Sequence, residues 1–362
     1  MGEPLRIGMV GAGKISGAYL DTLERLDTVR LTAVADLDPR RAKTAADRIP
    51  GAEVAGSVEE LLVRADVDAV LNLTVPAVHA PVALAALAAG KHVYGEKPLA
   101  ATREEADAIL AAAAAGGLRV GCAPDTVLGT GTQTARRAVD DGLIGTPVAA
   151  TAFMASAGPE SWHPDPEFYY RPGGGPLLDM GPYYLSALVH LLGPVVRVTG
   201  AASRTRTERE TGSGSRAGTR FPVEVDTHVT GILEHAGGVL TTLVMSFDVQ
   251  AARLPCIEVH GTGGSLSVPD PNGFDGPVEL HRAGGGWELL PVSAGYRGAG
   301  RGTGLADLAD ALAAGRPHRA SADLSRHVLE VMLTLLDAAR EGVTLPVRSS
   351  CVRPEPVRPR QP

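Results

Sequence analysis

A glycine-rich turn after the first apolar run constrains the fold more than any other feature of the chain. The run at residues 5–10 leads directly into the segment GAGKISG at residues 11–17. Its first two glycines allow a tight turn and a close backbone approach, and the helix that follows directs its N–H groups at a diphosphate. Ser16 stands where a third glycine is expected, and Gly17 follows it. Taken alone, the segment also suits a strand-to-helix turn that binds nothing.

Short β-branched runs alternate with alanine-rich stretches through the first third of the chain. This alternation predicts an α/β domain with a doubly wound parallel sheet, and strands that are apolar at nearly every position suit a sheet covered on both faces. Gly90 and Gly116 are expected to end two helices. The predicted strands are 5–10, 30–36, 69–74, 92–96 and 119–123, and the predicted helices are 16–26, 40–48, 58–64, 78–89 and 103–115.

Asp36 ends the second predicted strand, 23 residues after Gly13 (36 − 13). A carboxylate at this place accepts hydrogen bonds from the ribose hydroxyls of a dinucleotide, so NAD is the expected cofactor. It also repels a 2′-phosphate, which disfavours NADP, although Arg40 and Arg41 lie close enough in sequence to leave NADP open. The alternative is that Asp36 caps the next helix, a role for which Asp38 is the better candidate.

The chain changes character after about residue 124. Strand-like runs follow one another with few helices between them, which predicts an α+β domain with a large, mostly antiparallel, open-faced sheet carrying helices on one face. The predicted strands are 195–202, 227–234, 239–248, 256–260, 265–268 and 278–281. Helices are predicted at 132–141, at about 177–192, around Leu305, Leu308 and Leu312, and from a Ser321 cap to a Gly342 stop.

This change predicts two domains. Residues 1–124 form the cofactor-binding Rossmann domain, and residues 125–345 form a domain for substrate binding and oligomerisation. Residues 346–362 are expected to be an unpacked tail, and the polar, Gly/Ser-rich stretch 204–220 a mobile loop. Because an open-faced sheet leaves one face uncovered, we expect a homodimer or homotetramer in which 229–233 and 240–245 face the partner.

Charge and cysteine content exclude several classes of protein. The 34 basic and 41 acidic residues give a net charge of −7, which offers no reason to expect a nucleic-acid partner or a basic membrane-binding face. The three cysteines form no C-x-x-C pair, and no histidines show metal-ligand spacing, so we predict neither disulfides nor a metal. The first strand starts too early for an export signal and no apolar run reaches about 18 residues, so a cytoplasmic protein is expected.

Two further motifs, Glu96-Lys97-Pro98 and GGGPLLDMGPY at residues 173–183, complete the pattern. In combination with the glycine-rich turn they resemble the Gfo/Idh/MocA-like oxidoreductases, the family of glucose-fructose oxidoreductase and inositol dehydrogenase. The resemblance runs in order from residue 5 to about residue 347. It implies NAD-dependent hydride transfer between nicotinamide and a secondary alcohol or ketone of a sugar, sugar derivative or cyclitol.

The same resemblance implies roles for individual residues. Lys97 lies at the end of a strand beside the nicotinamide and the substrate hydroxyl, and Asp179 and Tyr183 face it from the second domain. The family most often carries histidine where this chain has Tyr183; tyrosine occurs there in glucose-fructose oxidoreductase-like and dihydrodiol dehydrogenase-like members, which indicates a subgroup. The cofactor-binding candidates are Gly11, Gly13, Lys14, Ile15, Asp36, Thr74, Pro76, His79, Glu96 and Lys97.

Residue chemistry supports and limits these roles. Only four of the 34 basic residues are lysines, so a lysine such as Lys97 can mark a place that bulky, permanently charged arginine does not fill. Asp179 and Tyr183 share one helix face at a spacing of four, unless Pro182 interrupts the helix. The alternatives are a solvated Lys97, a capping Asp179 and a core Tyr183. His79 is placed against the cofactor or, equally, is an ordinary helix-terminal histidine.

Aromatic residues concentrate near residues 162–171 in a chain that is only 4% aromatic. Aromatic faces suit the apolar faces of sugar rings, so this segment is a candidate substrate wall; the alternative is a loop packed on the sheet. The substrate-binding candidates are Trp162, His163, Tyr169 and Arg171.

Two other functional classes remain open at this stage. The first is a redox-neutral enzyme that retains its NAD, such as an epimerase or a glycoside-cleaving enzyme. The second is a non-catalytic NAD-binding sensor, against which the joint presence of Lys97, Asp179 and Tyr183 argues.

Overall fold

The computed structural model describes residues 3–360. The strands, in chain order, are β1 Leu5–Val10, β2 Val29–Ala35, β3 Glu53–Val54, β4 Ala69–Asn72, β5 His92–Gly95, β6 Val120–Cys122, β7 Pro147–Ala155, β8 Val195–Ser203, β9 Glu208–Glu210, β10 Arg220–Pro222, β11 His228–His235, β12 Leu240–Ser246, β13 Ile257–Gly261, β14 Gly264–Val268, β15 Glu279–Arg282, β16 Trp287–Leu289 and β17 Leu345–Pro346. The α-helices are α1 Ser16–Leu23, α2 Pro39–Ala46, α3 Val58–Leu62, α4 His79–Ala88, α5 Arg103–Gly116, α6 Thr130–Asp140, α7 Pro176–Leu192, α8 Thr303–Ala314 and α9 Ala322–Glu341.

The first sheet has six parallel strands in the order β3-β2-β1-β4-β5-β6. The predicted doubly wound sheet is therefore confirmed. Its central strands are apolar and buried, as for Ile7, Met9 and Leu71, which are 0% exposed. Strand order reverses between β1 and β4, and ligands of such folds bind at the carboxyl ends of the strands at this point.

Local helix signals were accurate to within a few residues. Asp38 caps α2 by accepting a hydrogen bond from the Arg40 backbone N–H at 3.0 Å. Ser321 accepts one from Leu324 N at the start of α9. Helix α5 ends one residue later than predicted, because Gly117, with φ of +62°, adopts the left-handed conformation expected of Gly116.

The second sheet has nine strands in the order β16-β15-β14-β13-β7-β12-β11-β8-β17. All neighbours are antiparallel except β7 and β12, so the prediction of a mostly antiparallel sheet is confirmed. Strand β7, between β13 and β12, was not predicted. Its sequence, PVAATAFMA, carries four alanines, which contribute little intrinsic β-preference.

Helix α9 lies against one face of this sheet. A Cβ built at Gly200 or at Gly231 would stand 2.6 Å from Leu335 Cδ1, so the helix approaches β8 and β11 closely. On the other face, side chains of β11 and β12 alternate outward as predicted, and Ile232 and Leu240 are each 50% exposed. Threonines stand between these aliphatic residues, so the open face is more polar than the sequence argument assumed.

Contacts divide the chain into two compact units. Among the described residues, the first unit comprises 3–130, Ala294–Arg326 and 354–360, and the second comprises Gly131–Ser293 and His327–Arg353. Both units are discontinuous, whereas the sequence predicted one division near residue 124. The reason is that α8 and the start of α9 make most of their contacts with the first unit, which local sequence does not reveal.

The segment 346–360 departs from the prediction of an unpacked tail. Val357 is 1% exposed. The guanidinium of Arg353 donates to the carbonyls of His190 and Leu191 at 2.7 and 2.8 Å, and so satisfies carbonyl groups that the end of α7 leaves open. The composition of the segment predicts an unpacked tail because composition carries no information about partners that lie far away in the sequence.

The stretch 204–220 likewise differs from the predicted mobile loop. It contains β9, which pairs with β10 in an antiparallel hairpin. Arg209 in β9 has a side chain that is only 2% exposed and bears two ion pairs, with Glu160 and Asp248. A buried, ion-paired arginine fixes the position of the hairpin, and a Gly/Ser-rich composition gives no indication of such a contact.

Neither a membrane-spanning helix nor a cluster of metal-ligating side chains is found among residues 3–360. None of the helices there is both long and apolar enough to cross a bilayer. The same residues contain no group of three or more His, Cys, Asp and Glu side chains placed to hold a metal ion.

Candidate active site

The two glycines of the turn after β1 meet different surroundings. Gly11 has φ of +92°, and a Cβ there would stand 2.8 Å from the backbone C and O of Leu73, so the chain itself requires glycine. For Gly13, in contrast, no atom among the described residues outside its own neighbours lies within 4 Å of such a Cβ. Packing does not explain Gly13, whereas the close approach of a diphosphate does, and the turn therefore fits a dinucleotide.

Asp36 follows β2 directly and joins its end to the glycine-rich turn. Its carboxylate accepts hydrogen bonds from Ala12 N at 2.6 Å and from Asp38 N at 2.8 Å. Asp36 is thus not the helix cap, since Asp38 has that role. Each carboxylate oxygen accepts more than one hydrogen bond, so Asp36 retains capacity for ribose hydroxyls.

Exposed aliphatic side chains surround the carboxyl ends of β1, β2 and β4. Such side chains offer a surface on which flat cofactor rings stack, and sequence periodicity does not reveal them. The exposed fractions are 38% for Ile15, 105% for Leu37, 64% for Val75 and 39% for Val78. Val78 ends the 3₁₀ turn Pro76–Val78, and Val75 directly precedes it.

An open cavity of about 560 Å³ lies beside the glycine-rich turn, between α1 and α2. Gly13 and Asp38 line it. Four cationic side chains also line it: Lys14, Arg40, Arg41 and Arg48. This charge suits a phosphate-bearing ligand.

His79 connects two turns at this edge of the sheet. The side chain is 3% exposed, with Nδ1 at 2.7 Å from Pro98 O and Nε2 at 3.0 Å from Thr74 O. Asn72, which sequence analysis missed, donates to His79 O at 3.0 Å and accepts from Thr74 Oγ1 at 2.6 Å. The ring of His79 is therefore hydrogen-bonded to both the Thr74 turn and the Pro98 segment and links the two. A polar residue ending a buried strand was the available signal for Asn72.

Glu96 holds the backbone of Lys97. Its Oε2 accepts from Lys97 N at 3.0 Å, and its Oε1 accepts from the Tyr19 hydroxyl at 2.8 Å. Burial, reinforced by the Glu96 carboxylate, raises the pKa of Tyr19 well above its usual value, so this hydroxyl stays a donor. Lys97 is half-buried and lies two residues after the end of β5, and its peptide bond to Pro98 is cis.

In the second unit, Asp179 and Tyr183 lie on one continuous helix. Helix α7 runs through Pro182, so the spacing of four is a true helical spacing. The N-cap is Gly175, with φ of +92°, and Asp179 stands inside the first turn rather than at the cap. Tyr183 is 6% exposed.

A cleft of about 420 Å³ in the second unit contains two of the predicted residues, Trp162 and Asp179. Phe247 and Tyr184 also line it, and its charged lining residues among those described are both acidic, Asp179 and Asp270. The other candidates in this unit, His163, Tyr169, Arg171 and Tyr183, are not among its described lining residues.

The aromatic residues before α7 form a cluster. His163 stands edge-on to Trp162 and to Tyr169, with ring centroids 5.5 Å apart in both cases. Trp162 remains 59% exposed at the cleft. Arg171 instead forms an ion pair with Glu167 at the protein surface.

Tyr184 and Cys256 are cleft residues that sequence analysis missed. Their side chains are hydrogen-bonded, and burial raises the pKa of both the phenol and the thiol. Both groups therefore present neutral donors and acceptors to a ligand. Tyr184 follows Tyr183 directly, and sequence offered no means of telling which tyrosine faces the cleft.

Comparison with known proteins agrees with this architecture. Residues 5–123 match a family described as an oxidoreductase family with an NAD-binding Rossmann fold, and residues 132–267 match the GFO/IDH/MocA C-terminal domain. The chain is 32% identical to dTDP-3,4-didehydro-2,6-dideoxy-alpha-D-glucose 3-reductase of Streptomyces antibioticus over 77% of this chain and 80% of that protein. The chain belongs to the Gfo/Idh/MocA family.

This Gfo/Idh/MocA protein is an oxidoreductase whose N-terminal part is an NAD-binding Rossmann domain. It is also 30% identical to 1,5-anhydro-D-fructose reductase of Ensifer adhaerens, over 72% of this chain and 74% of that enzyme. A solved structure, levoglucosan dehydrogenase in complex with NADH and L-sorbose, has the same fold, with a TM-score of 0.80 over 96% of this chain and all of that one, at 21% identity.

Proposed function

We propose that this protein is an NAD-dependent dehydrogenase or reductase that acts on a secondary alcohol or ketone of an uncharged sugar, sugar derivative or cyclitol. The observation that carries the substrate class is the cleft in the second unit. Trp162 and Phe247 offer apolar faces to a ring, while Asp179 and Asp270 accept hydrogen bonds from hydroxyl groups. No cationic side chain occurs among its described lining residues, which disfavours phosphorylated or carboxylated substrates.

Bound NAD supplies the hydride acceptor for oxidation of the alcohol carbon. In this proposal the reacting hydroxyl of the ring extends beyond the cleft, and Tyr183, which is not among the described lining residues, takes its proton. Lys97 donates a hydrogen bond to the same oxygen and stabilises its developing negative charge, and Asp179 orients the lysine or the sugar. Rigid elements support these roles, because Glu96 holds the backbone of Lys97 and α7 carries the other two residues.

The deciding experiment screens neutral sugars and inositols with NAD and follows NADH absorbance. A matched set of phosphorylated and nucleotide-linked sugars tests the charge argument. We expect turnover only with neutral compounds. Turnover only with charged sugars would overturn the substrate class, and NAD that copurifies and cycles without net NADH would instead assign a redox-neutral enzyme.

Asp36 sets the cofactor preference in this proposal. We expect NAD to bind at least about ten times more tightly than NADP, or about 1.4 kcal/mol. Asp36→Ser should shift preference towards NADP, with Arg40 or Arg41 as the phosphate partner, and should weaken NAD binding because the Ala12 contact is lost. Asp47→Ser, which removes an exposed carboxylate that is paired with Lys43 outside the cavity, is the control. Equal dissociation constants for the two cofactors by calorimetry would contradict this assignment.

The open face of the nine-stranded sheet is the expected interface of a homodimer or homotetramer. Ile232 and Leu240, each 50% exposed on neighbouring strands, are its central aliphatic groups. Ile232→Glu should therefore dissociate the assembly, whereas Val63→Glu, at an 82% exposed position after α3, should not. Sedimentation velocity at micromolar concentration provides the measurement, and a monomeric unmodified protein would refute the proposal.

A further inference from the structure

Arg209, in the β9–β10 hairpin, contacts two chain segments that contribute to the proposed substrate cleft. The guanidinium of Arg209 donates through Nη1 to Ala157 O at 2.9 Å and to Glu160 Oε1 at 2.6 Å. Through Nη2 it donates to Phe247 O at 3.0 Å and to the Asp248 carboxylate. One side chain thus joins two chain segments that are about ninety residues apart in sequence.

Neighbouring groups fix this guanidinium in place. Its central carbon lies 5.1 Å from the ring centre of Tyr170, whose hydroxyl donates to the second oxygen of Glu160. The Thr227 hydroxyl donates to the second oxygen of Asp248 at 2.6 Å. Since Arg209 is 2% exposed and both carboxylates 13%, water screens these contacts little.

The two joined segments carry the aromatic walls of the cleft. Phe247 is one wall, and the first segment continues from Glu160 into Trp162, the other. The backbone N–H of Trp162 donates to Pro159 O at 3.2 Å, so the ring direction depends on the turn Pro159–Ser161. Arg209 thus joins the residues around this turn to the residues that follow β12. Arg209 itself is not among the described residues that line the cleft.

We propose that Arg209 is a positioning residue that sets the separation of Trp162 and Phe247, and thereby the fit of the substrate ring. It acts through these two residues and does not touch the substrate. The planar fork of arginine reaches both segments at once, whereas the single ammonium of lysine reaches one. The kinetic consequence rests on the proposed function; the placement of Trp162 does not.

The test uses the full-length protein with Trp287→Phe, because the chain has two tryptophans and this change leaves Trp162 as the sole emitter. Arg209→Lys keeps the charge and loses the fork. We expect the acrylamide quenching constant of Trp162 to change about twofold and the substrate KM to rise about tenfold, with kcat within about threefold and the NAD KM unchanged. Arg220→Gln, on the same hairpin but 72% exposed, should change none of these.

Glu160→Gln provides a second route if Arg209→Lys does not fold, since it keeps the shape of the network and removes one charge. Its quenching and KM should move in the same direction by a smaller factor. Folded variants with unaltered Trp162 quenching and substrate KM would overturn the proposal, as would equal losses in kcat and in NAD binding. If the unmodified protein oxidises no polyol while Trp162 quenching still responds, the proposed function fails and the positioning role stands.

Discussion

Replacing Tyr183 with phenylalanine is expected to lower kcat by about 10²- to 10⁴-fold while NAD affinity stays nearly unchanged. The reason is that the change removes the proposed proton acceptor and nothing that touches the cofactor. Tyr183 is 6% exposed on α7, so phenylalanine fits the same space. Single-turnover hydride transfer at matched saturation is the measurement. A rate equal to that of the unmodified protein would mean that the proton goes elsewhere, to Lys97 or His163.

Lys97→Ala should lower the rate further, because it removes a charge as well as a hydrogen-bond donor. Lys97→Arg should not restore it, since a planar guanidinium cannot replace a compact ammonium beside one oxygen. The matched control is Lys43→Arg, whose lysine forms an exposed ion pair with Asp47 on α2. Restoration of the rate by Lys97→Arg would reduce the role of Lys97 to its charge.

Two substitutions in the glycine-rich turn separate its contribution to stability from its contribution to NAD binding. Gly11→Ala should destabilise the fold by roughly 2–4 kcal/mol, because it combines an unfavourable φ with a backbone clash at Leu73. A fall in the thermal midpoint, with or without NAD, is the expected result. An unchanged midpoint would show that the turn rearranges at little cost.

Gly13→Ala should have the opposite profile. Stability should remain within about 0.5 kcal/mol, because no described atom beyond its chain neighbours lies within 4 Å of the new Cβ. NAD affinity should fall about tenfold or more, since the methyl group obstructs the diphosphate. Gly237→Ala, in the turn between β11 and β12, also places its Cβ in open space; it is the control and should leave NAD affinity intact. Normal NAD affinity in Gly13→Ala would remove the turn from the cofactor site.

Local patterns predicted much of the cofactor half. Strand and helix periods, the Asp38 cap and the strand-to-helix turn of residues 11–17 are all properties of a few consecutive residues, and the structure confirms each of them as a local element. The i, i+4 relation of Asp179 and Tyr183 is equally local, and α7 preserves it through Pro182. The catalytic roles of these residues stay predictions, because a role depends on what a side chain faces.

The predictions that are wrong or missing concern segments whose structure depends on partners far away in the sequence. The alanine-rich β7 becomes a strand because β12 and β13 flank it. The stretch 204–220 is ordered by Arg209, whose partners lie about forty to fifty residues away in sequence. Arg353 reaches back to the end of α7 in the same manner. The composition of these segments carries no information about partners that lie so far away in the sequence.

The sequence by itself determined the family, the parallel sheet and the local spacing of the candidate site residues, because these follow from short motifs, short-range periodicity and turn chemistry. Only the tertiary structure decided that Gly11 is required by packing and Gly13 is not, that Trp162 rather than Arg171 lines the cleft, and that a buried arginine joins two distant segments of the chain. Each of these depends on burial and on contacts between residues far apart in the chain, and such contacts form only when the whole chain is packed.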